Sequence, residues 1–245
     1  NQMRVYKADF YGLPAHRLSD DSMSATIAEG IAVNSTAHLD FSDTDKVTVL
    51  GNPTEGALLL WLYENGMKYT ELQAETKRIA EIPFCTERKY MATLVENACG
   101  KKMLYVKGAP EIILSLCDKI SGETGKADIE RQLEEYQNQA MRTLGFACRE
   151  VKDGETVIRD GALCATDLTF LGIVAISDPV RKDAPDAVRE CMNAGIAVKI
   201  VTGDTSGTAK EIGKQIGLWK ENDTDRNIIT GPEFAALSDD ELRKR

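Results

Sequence analysis

Lys107-Gly108-Ala109-Pro110-Glu111 sets a lysine beside a glycine where a strand-like run gives way to a helix start. The glycine lets a ligand approach the backbone, and the ammonium offers a point charge to a phosphate or ring edge. The plain alternative is a strand-to-helix turn with a solvated lysine. Pro83-Phe84 lies a few residues before Arg88-Lys89. A phenyl face can stack on a nucleobase, worth about 1–3 kcal/mol by analogy with single-stranded nucleic-acid binders. The alternative buries Phe84 in the core and leaves Glu87-Arg88-Lys89 as a solvated charge run.

Asn52-Pro53-Thr54-Glu55 reads as a helix start, with Asn as cap, Pro in the first turn and Glu completing a capping box. The capping box accounts for Glu55 by itself, yet the same carboxylate can accept a hydrogen bond from an exocyclic amine. Gly51 and Gly56 have the spacing of a P-loop, but Ala57-Leu58 stand where that loop needs Lys-Ser/Thr. Arg142, placed near the end of an amphipathic helix and just before a strand, either caps carbonyls or reaches a phosphate. Thr202-Gly203-Asp204 follows an apolar run and precedes a helix. That is where an open α/β sheet holds phosphoryl oxygens, although a tight turn capped by Asp204 explains it equally well.

The elements that must position these groups follow from periodicity. Met3–Phe10 reads as a strand, and Ser22–Val33 as a helix with Met23, Ile27, Ala28 and Ile31 on one face. A helix after Asn52 buries Ala57, Leu58, Trp61 and Leu62. Met91–Glu96 and Lys102–Lys107 form a hairpin turned at Gly100. Pro110 opens a helix with Ile112, Ile113, Leu116 and Cys117 inside. A longer amphipathic helix carries Ile129, Leu133, Tyr136, Ala140 and Met141. Leu144–Val151 and Leu168–Ile176 are further strands. Antiparallel strands mixed with helices give an α+β arrangement. After Asp178-Pro179-Val180-Arg181 the pattern becomes helix (Ala184–Ala194), buried strand (Ile196–Val201), glycine turn and helix (Thr208–Ile216). Alternating elements predict a parallel α/β sheet, but too few residues remain to cover both its faces, so this second domain is expected to be incomplete.

Composition excludes some classes. The net charge of -9 argues against a general nucleic-acid binder. Hydrophobic residues at 42% suffice for a core. The six cysteines show no CxxC pair, several lie in apolar runs such as Phe146-Ala147-Cys148, and they read as reduced core residues. With His16 and His38 as the two histidines, no metal site is expected. No apolar stretch reaches the roughly 20 residues of a membrane helix. The absence of an initiator methionine at Asn1 suggests a piece of a longer protein.

Taken in order, these motifs resemble those of the P-type cation-transporting ATPases. Asn52-Pro53-Thr54-Glu55, Pro83-Phe84 with Arg88-Lys89, Lys107-Gly108-Ala109-Pro110-Glu111, Met141-Arg142-Thr143-Leu144, Asp178-Pro179-Val180-Arg181 and Thr202-Gly203-Asp204 carry the likeness. It covers nearly the whole chain and is nearest to the calcium pump branch. Asn1-Gln2-Met3 looks like the stretch following the family's phosphorylated aspartate.

The resemblance implies an α+β nucleotide-binding domain over 1–177, an antiparallel sheet flanked by helices. It implies an incomplete α/β phosphorylation-domain segment of haloacid dehalogenase type over 178–245, hinged at 178–181. By the same likeness Phe84 stacks on adenine, Glu55 bonds the adenine side, and Lys89, Lys107 and Gly108 line the pocket. Arg142 binds the phosphate chain, Asp178 and Arg181 sit at the hinge, and Thr202, Gly203 and Asp204 meet the terminal phosphate. Thr86 stands where many relatives carry an arginine, and Val180 replaces a second proline.

The implied cofactors are ATP and its Mg²⁺. The implied partners are the parent pump's actuator domain, the rest of its phosphorylation domain and its membrane helices, with no nucleic acid, at the cytoplasmic face of a membrane. The phosphorylated aspartate and the metal-holding segment are not recognised here, so no residue is assigned a catalytic role and the fragment is expected to bind ATP without hydrolysing it. Two alternatives are a haloacid dehalogenase-type phosphatase and a non-catalytic ATP-sensing module. The first needs an Asp-x-Asp motif after a strand, and Asp43-Thr44-Asp45 has that spacing in a polar loop.

Overall fold

The computed structural model describes residues 3–43, 47–97, 99–139, 141–177, 180–181, 183–202, 206–238 and 240–241, the side chain of Thr208 excepted. The first elements are β1 (Arg4–Phe10), α1 (Ser22–Val33), β2 (His38–Asp40), β3 (Thr48–Leu50), α2 (Pro53–Glu64) and α3 (Tyr69–Ala74). Then come β4 (Lys77–Ile82), β5 (Tyr90–Glu96), β6 (Lys102–Gly108), α4 (Pro110–Ser115), β7 (Cys117–Ile120) and α5 (Lys126–Asn138). The series continues with β8 (Arg142–Val151), β9 (Ile158–Arg159), β10 (Ala162–Leu163) and β11 (Leu168–Ser177). It ends with α6 (Ala184–Asn193), α7 (Ser206–Gln215) and α8 (Gly231–Ala236). The chain divides into two compact units, residues 1–137 with 141–179, and residues 138–140 with 180–245.

In the first unit a seven-stranded sheet runs β1-β11-β8-β6-β5-β4, and β7 joins the start of β11 in parallel. Every other pairing along that path is antiparallel. Period-2 alternation sends Leu104 and Val106 to one face, with Ile113, Ile129 and Phe170, while Tyr105 and Phe146 face Ile27, Leu58 and Leu62 on the other. Each such Leu, Ile or Phe contributes about 1.5–3 kcal/mol when fully buried. That scale explains Gly30 inside α1. Glycine costs about 1 kcal/mol in a helix interior, but a Cβ here would lie 2.6 Å from a Tyr105 ring carbon, so the gap lets α1 settle on the sheet.

β11 carries a bulge between Phe170 and Gly172, where its register against β8 shifts. Leu168 and Phe170 face one core, and after the bulge Ile173 and Ala175 face that same core. One extra residue thus exchanges odd and even positions. Gly172 is required there, because a Cβ would come within 2.1 Å of the Asp9 carbonyl oxygen on β1.

Several expectations need correction. The helix expected to carry Ala140 and Met141 ends at Asn138; Met141 N–H bonds the Tyr136 carbonyl at 3.0 Å, and Arg142 opens β8. Cys117 begins β7 rather than lying inside α4, and Trp61 is only half-buried. Of the cysteines, all free, Cys148 is buried, whereas Cys99 and Cys164 are exposed.

In the second unit α6, α7 and α8 are described, and no strand is described after β11. The buried strand expected at Ile196–Val201 is absent: the segment is irregular, and Ile196 and Val201 are 56% and 96% exposed. A strand is held by its ladder, and no described segment pairs with this one. Asp178, Pro179, Gly203 and Asp204 lie outside the described residues.

Candidate functional site

One end of the sheet gathers the motifs. Tyr90 opening β5, Gly108 closing β6 and Gly145 near the start of β8 are successive cross-strand partners, and Arg142 pairs with Ile176. Gly108 serves the chain itself, since a Cβ there would meet the Lys89 carbonyl oxygen at 2.3 Å. Lys89 adopts φ 58°, donates its N–H to Cys85 O at 2.8 Å and accepts the Ala109 N–H at 2.9 Å. The loop holding Phe84 and Lys89 is thereby tied to the Lys107-Gly108-Ala109 turn.

Asn52 caps α2, its Oδ1 accepting from Thr54 N at 2.9 Å and Glu55 N at 3.3 Å. The capping box read from the sequence does not form, because Glu55 turns away from its own helix. Glu55 Oε2 accepts from Thr36 N at 2.7 Å and Thr36 Oγ1 at 2.6 Å, and Oε1 lies 2.8 Å from Lys107 Nζ. Lys107 also donates to the Asn34 carbonyl, and Asn34 Oδ1 accepts from Thr93 Oγ1 at 2.9 Å. Lys107 is therefore buried and paired, not solvated.

Burial works to raise the Glu55 carboxyl, but the Lys107 charge and bond together with the Thr36 bonds outweigh it and hold the group below its ordinary value. Burial pulls Lys107 below the usual ammonium range, and Glu55 offsets only part of that.

Thr54 Oγ1 accepts from Arg142 Nη1 at 2.8 Å, so the guanidinium stands exposed at the N-terminus of α2. Phe84 is 59% exposed, which overturns the core alternative for this ring. Lys89 is exposed as well. Glu55, Phe84, Lys89, Lys107, Gly108 and Arg142 thus share one sheet end. Arg181 and Thr202 belong to the second unit, where Arg181 pairs with Asp183 at 2.9 Å and Thr202 is exposed. Asp43 is exposed in the loop after β2, and Thr44 and Asp45 lie outside the described residues.

The sequence reading missed Asn34 and Thr36. Their signal is the polar triplet Asn34-Ser35-Thr36 directly after the apolar end of α1. It also passed over the link from Thr54 to Arg142. Among the described residues no group of three or more His, Cys, Asp or Glu side chains could hold a metal ion. The described residues therefore offer no all-protein cage for Mg²⁺. No described helix is long and apolar enough to cross a membrane.

Residues 22–183 match the family model for the P-type ATPase, cytoplasmic domain N. The chain is 34% identical to the calcium-transporting ATPase PAT1 of Dictyostelium discoideum, over 90% of this chain and 20% of that protein. It is 34% identical to calcium-transporting ATPase 1 of Lactococcus lactis, over 84% of this chain and 24% of that protein. It is 39% identical to the probable calcium-transporting ATPase 8, plasma membrane-type, of Oryza sativa, over 89% of this chain and 22% of that protein. The chain therefore spans between a fifth and a quarter of the length of these relatives. A sheet end built from these motifs and a family match over residues 22–183 agree: the chain belongs to the P-type ATPase cytoplasmic domain N family.

Proposed function

We propose that this chain binds ATP as the nucleotide-holding portion of a cation pump, with Ca²⁺ the transported ion of the parent protein. The observation that carries the reading is the gathering, at one sheet end, of an exposed Phe84 ring, the Glu55–Lys107 pair and the Arg142 guanidinium. Phe84 stacks on adenine, and Glu55 accepts a hydrogen bond from the exocyclic amino group. Lys107 keeps Glu55 ionised and oriented, since its charge is already matched inside the fold. Lys89 and Arg142, both exposed, face the phosphate chain, Arg142 leaving Thr54 to do so.

With this reading go two domains, 1–177 for nucleotide binding and 178–245 as the start of a haloacid dehalogenase-like phosphorylation domain. Support for the second is the order of Asp178-Pro179-Val180-Arg181 and Thr202-Gly203-Asp204 rather than any strand. There Asp178 and Arg181 hold the nucleotide from the hinge, and Thr202, Gly203 and Asp204 meet the terminal phosphate. The parent would split ATP hydrolysis into two steps through an aspartyl phosphate. The chain lies on the cytoplasmic side of the membrane, beside the pump's actuator domain, membrane helices and remaining phosphorylation domain.

One exposed ring and a charge-matched lysine give weak binding, with a Kd nearer 1 mM than 1 μM, about -4 rather than -8 kcal/mol. In an amide-shift titration ATP should move Phe84, Lys107 and Arg142 together. Shifts clustered elsewhere refute the site.

A further inference from the structure

We propose that Thr36 is a positioning residue that sets base selectivity at this site, an inference that rests on Glu55 being the acceptor for a purine amino group. A carboxylate offers about four lone-pair sites. Three are used here: Thr36 N and Thr36 Oγ1 both donate to Oε2, and Lys107 donates to Oε1. Two bonds from one residue to one oxygen fix the plane of the carboxylate. The acceptor left over is on Oε1.

An acceptor held in this way favours a purine carrying an amino group at its sixth position, which donates. It disfavours a purine carrying a carbonyl there, because two acceptors then face each other. A site built to bond a particular donor rejects the analogue that lacks it, since the protein group is left unpaired. Without the hydroxyl of Thr36 the carboxylate is anchored by one bond fewer on Oε2 and can rotate toward a compromise. Lys107 is fixed separately, by Asn34, so the ion pair survives the change. Thr36 is itself exposed, so its substitution leaves the core packing intact.

The test is an amide-shift titration of the 245-residue chain with ATP and with GTP, for wild type, Thr36→Val and Thr36→Ser, each checked by thermal melting. Wild type should prefer ATP. Thr36→Val should lower the ATP-to-GTP affinity ratio about tenfold or more, as loss of one hydrogen bond to a charged group implies, and Thr36→Ser should restore it. An unchanged ratio in Thr36→Val, or a uniform loss of both nucleotides, marks a purely structural role and overturns the proposal. Equal binding of ATP and GTP by wild type sinks this inference alone. Binding of neither sinks the ATP reading with it.

Discussion

Oε1 of Glu55 lies 2.8 Å from Nζ of Lys107, and neither side chain is more than 8% exposed. The pair joins the first turn of α2 to the last residues of β6. Removing one partner strands the other charge away from water, a loss of about 3–5 kcal/mol for a buried pair. Lys107→Met should lose that much in urea unfolding. The double variant Glu55→Gln with Lys107→Met should lose less, because no bare charge remains. Equal losses in the two would show that the ions do not interact.

The same pair predicts an acid limb. Glu55 titrates lower in the folded chain than its ordinary value, so the unfolded chain binds its proton first as pH falls. Its stabilisation is complete above the unfolded value near 4.3 and disappears as pH drops through the lower folded value. Urea midpoints measured between pH 7 and pH 3 should fall less steeply in Glu55→Gln than in wild type. Parallel curves would assign the limb to other carboxylates. Asp21 is one, held down to about 2 by Ser19 and then by Ser24.

Phe84 separates binding from stability. The ring is exposed, so Phe84→Ala should change folding by no more than about 0.5 kcal/mol. Loss of stacking should weaken ATP about 5- to 150-fold, and Phe84→Trp should retain affinity. Wild-type affinity in Phe84→Ala would remove the ring from the site.

Gly108 tests the backbone beneath the site. A methyl there would strike the Lys89 carbonyl and Tyr90 Cα, at 2.3 and 2.6 Å. Overpacking of this kind costs about 1–3 kcal/mol. Gly108→Ala should therefore melt earlier than wild type and shift the amide of Ala109, which bonds Lys89. Gly154→Asn is the control: it has a left-handed φ of 79° and nothing within 4 Å, and Asn tolerates that conformation. If both variants melt alike, the contact is not tight.

Much of the first unit was legible because its signals are local. Asn52-Pro53 marks the start of α2, the spacing of Met23, Ile27, Ala28 and Ile31 marks α1, and Gly100 turns the hairpin of β5 and β6. What could not be read locally is what a side chain chooses when two partners compete. Glu55 satisfies the spacing of a capping box, yet a buried ammonium and two Thr36 donors outbid its own helix terminus. Gly108 advertises room for a ligand, and the room is taken by Lys89, brought there by strand pairing. Ile196–Val201 has the apolar composition of a buried strand but no described neighbour to pair with, and composition alone does not form a ladder.

The bulge in β11 has a consequence for chain length. Downstream of Leu171, each side chain through Ile176 faces its present core because a single surplus residue has been absorbed there. Deleting Leu171 would leave a regular ladder in the present register, with Ile173 and Ala175 keeping both their partners and their core, and Val174 and Ile176 theirs. Ile176 is also the cross-strand neighbour of Arg142. A one-residue insertion between Gly172 and Ile176, if no second bulge absorbed it, would instead turn Ile176 to the opposite face beside Arg142 while leaving Thr54, to which the guanidinium bonds, unaltered.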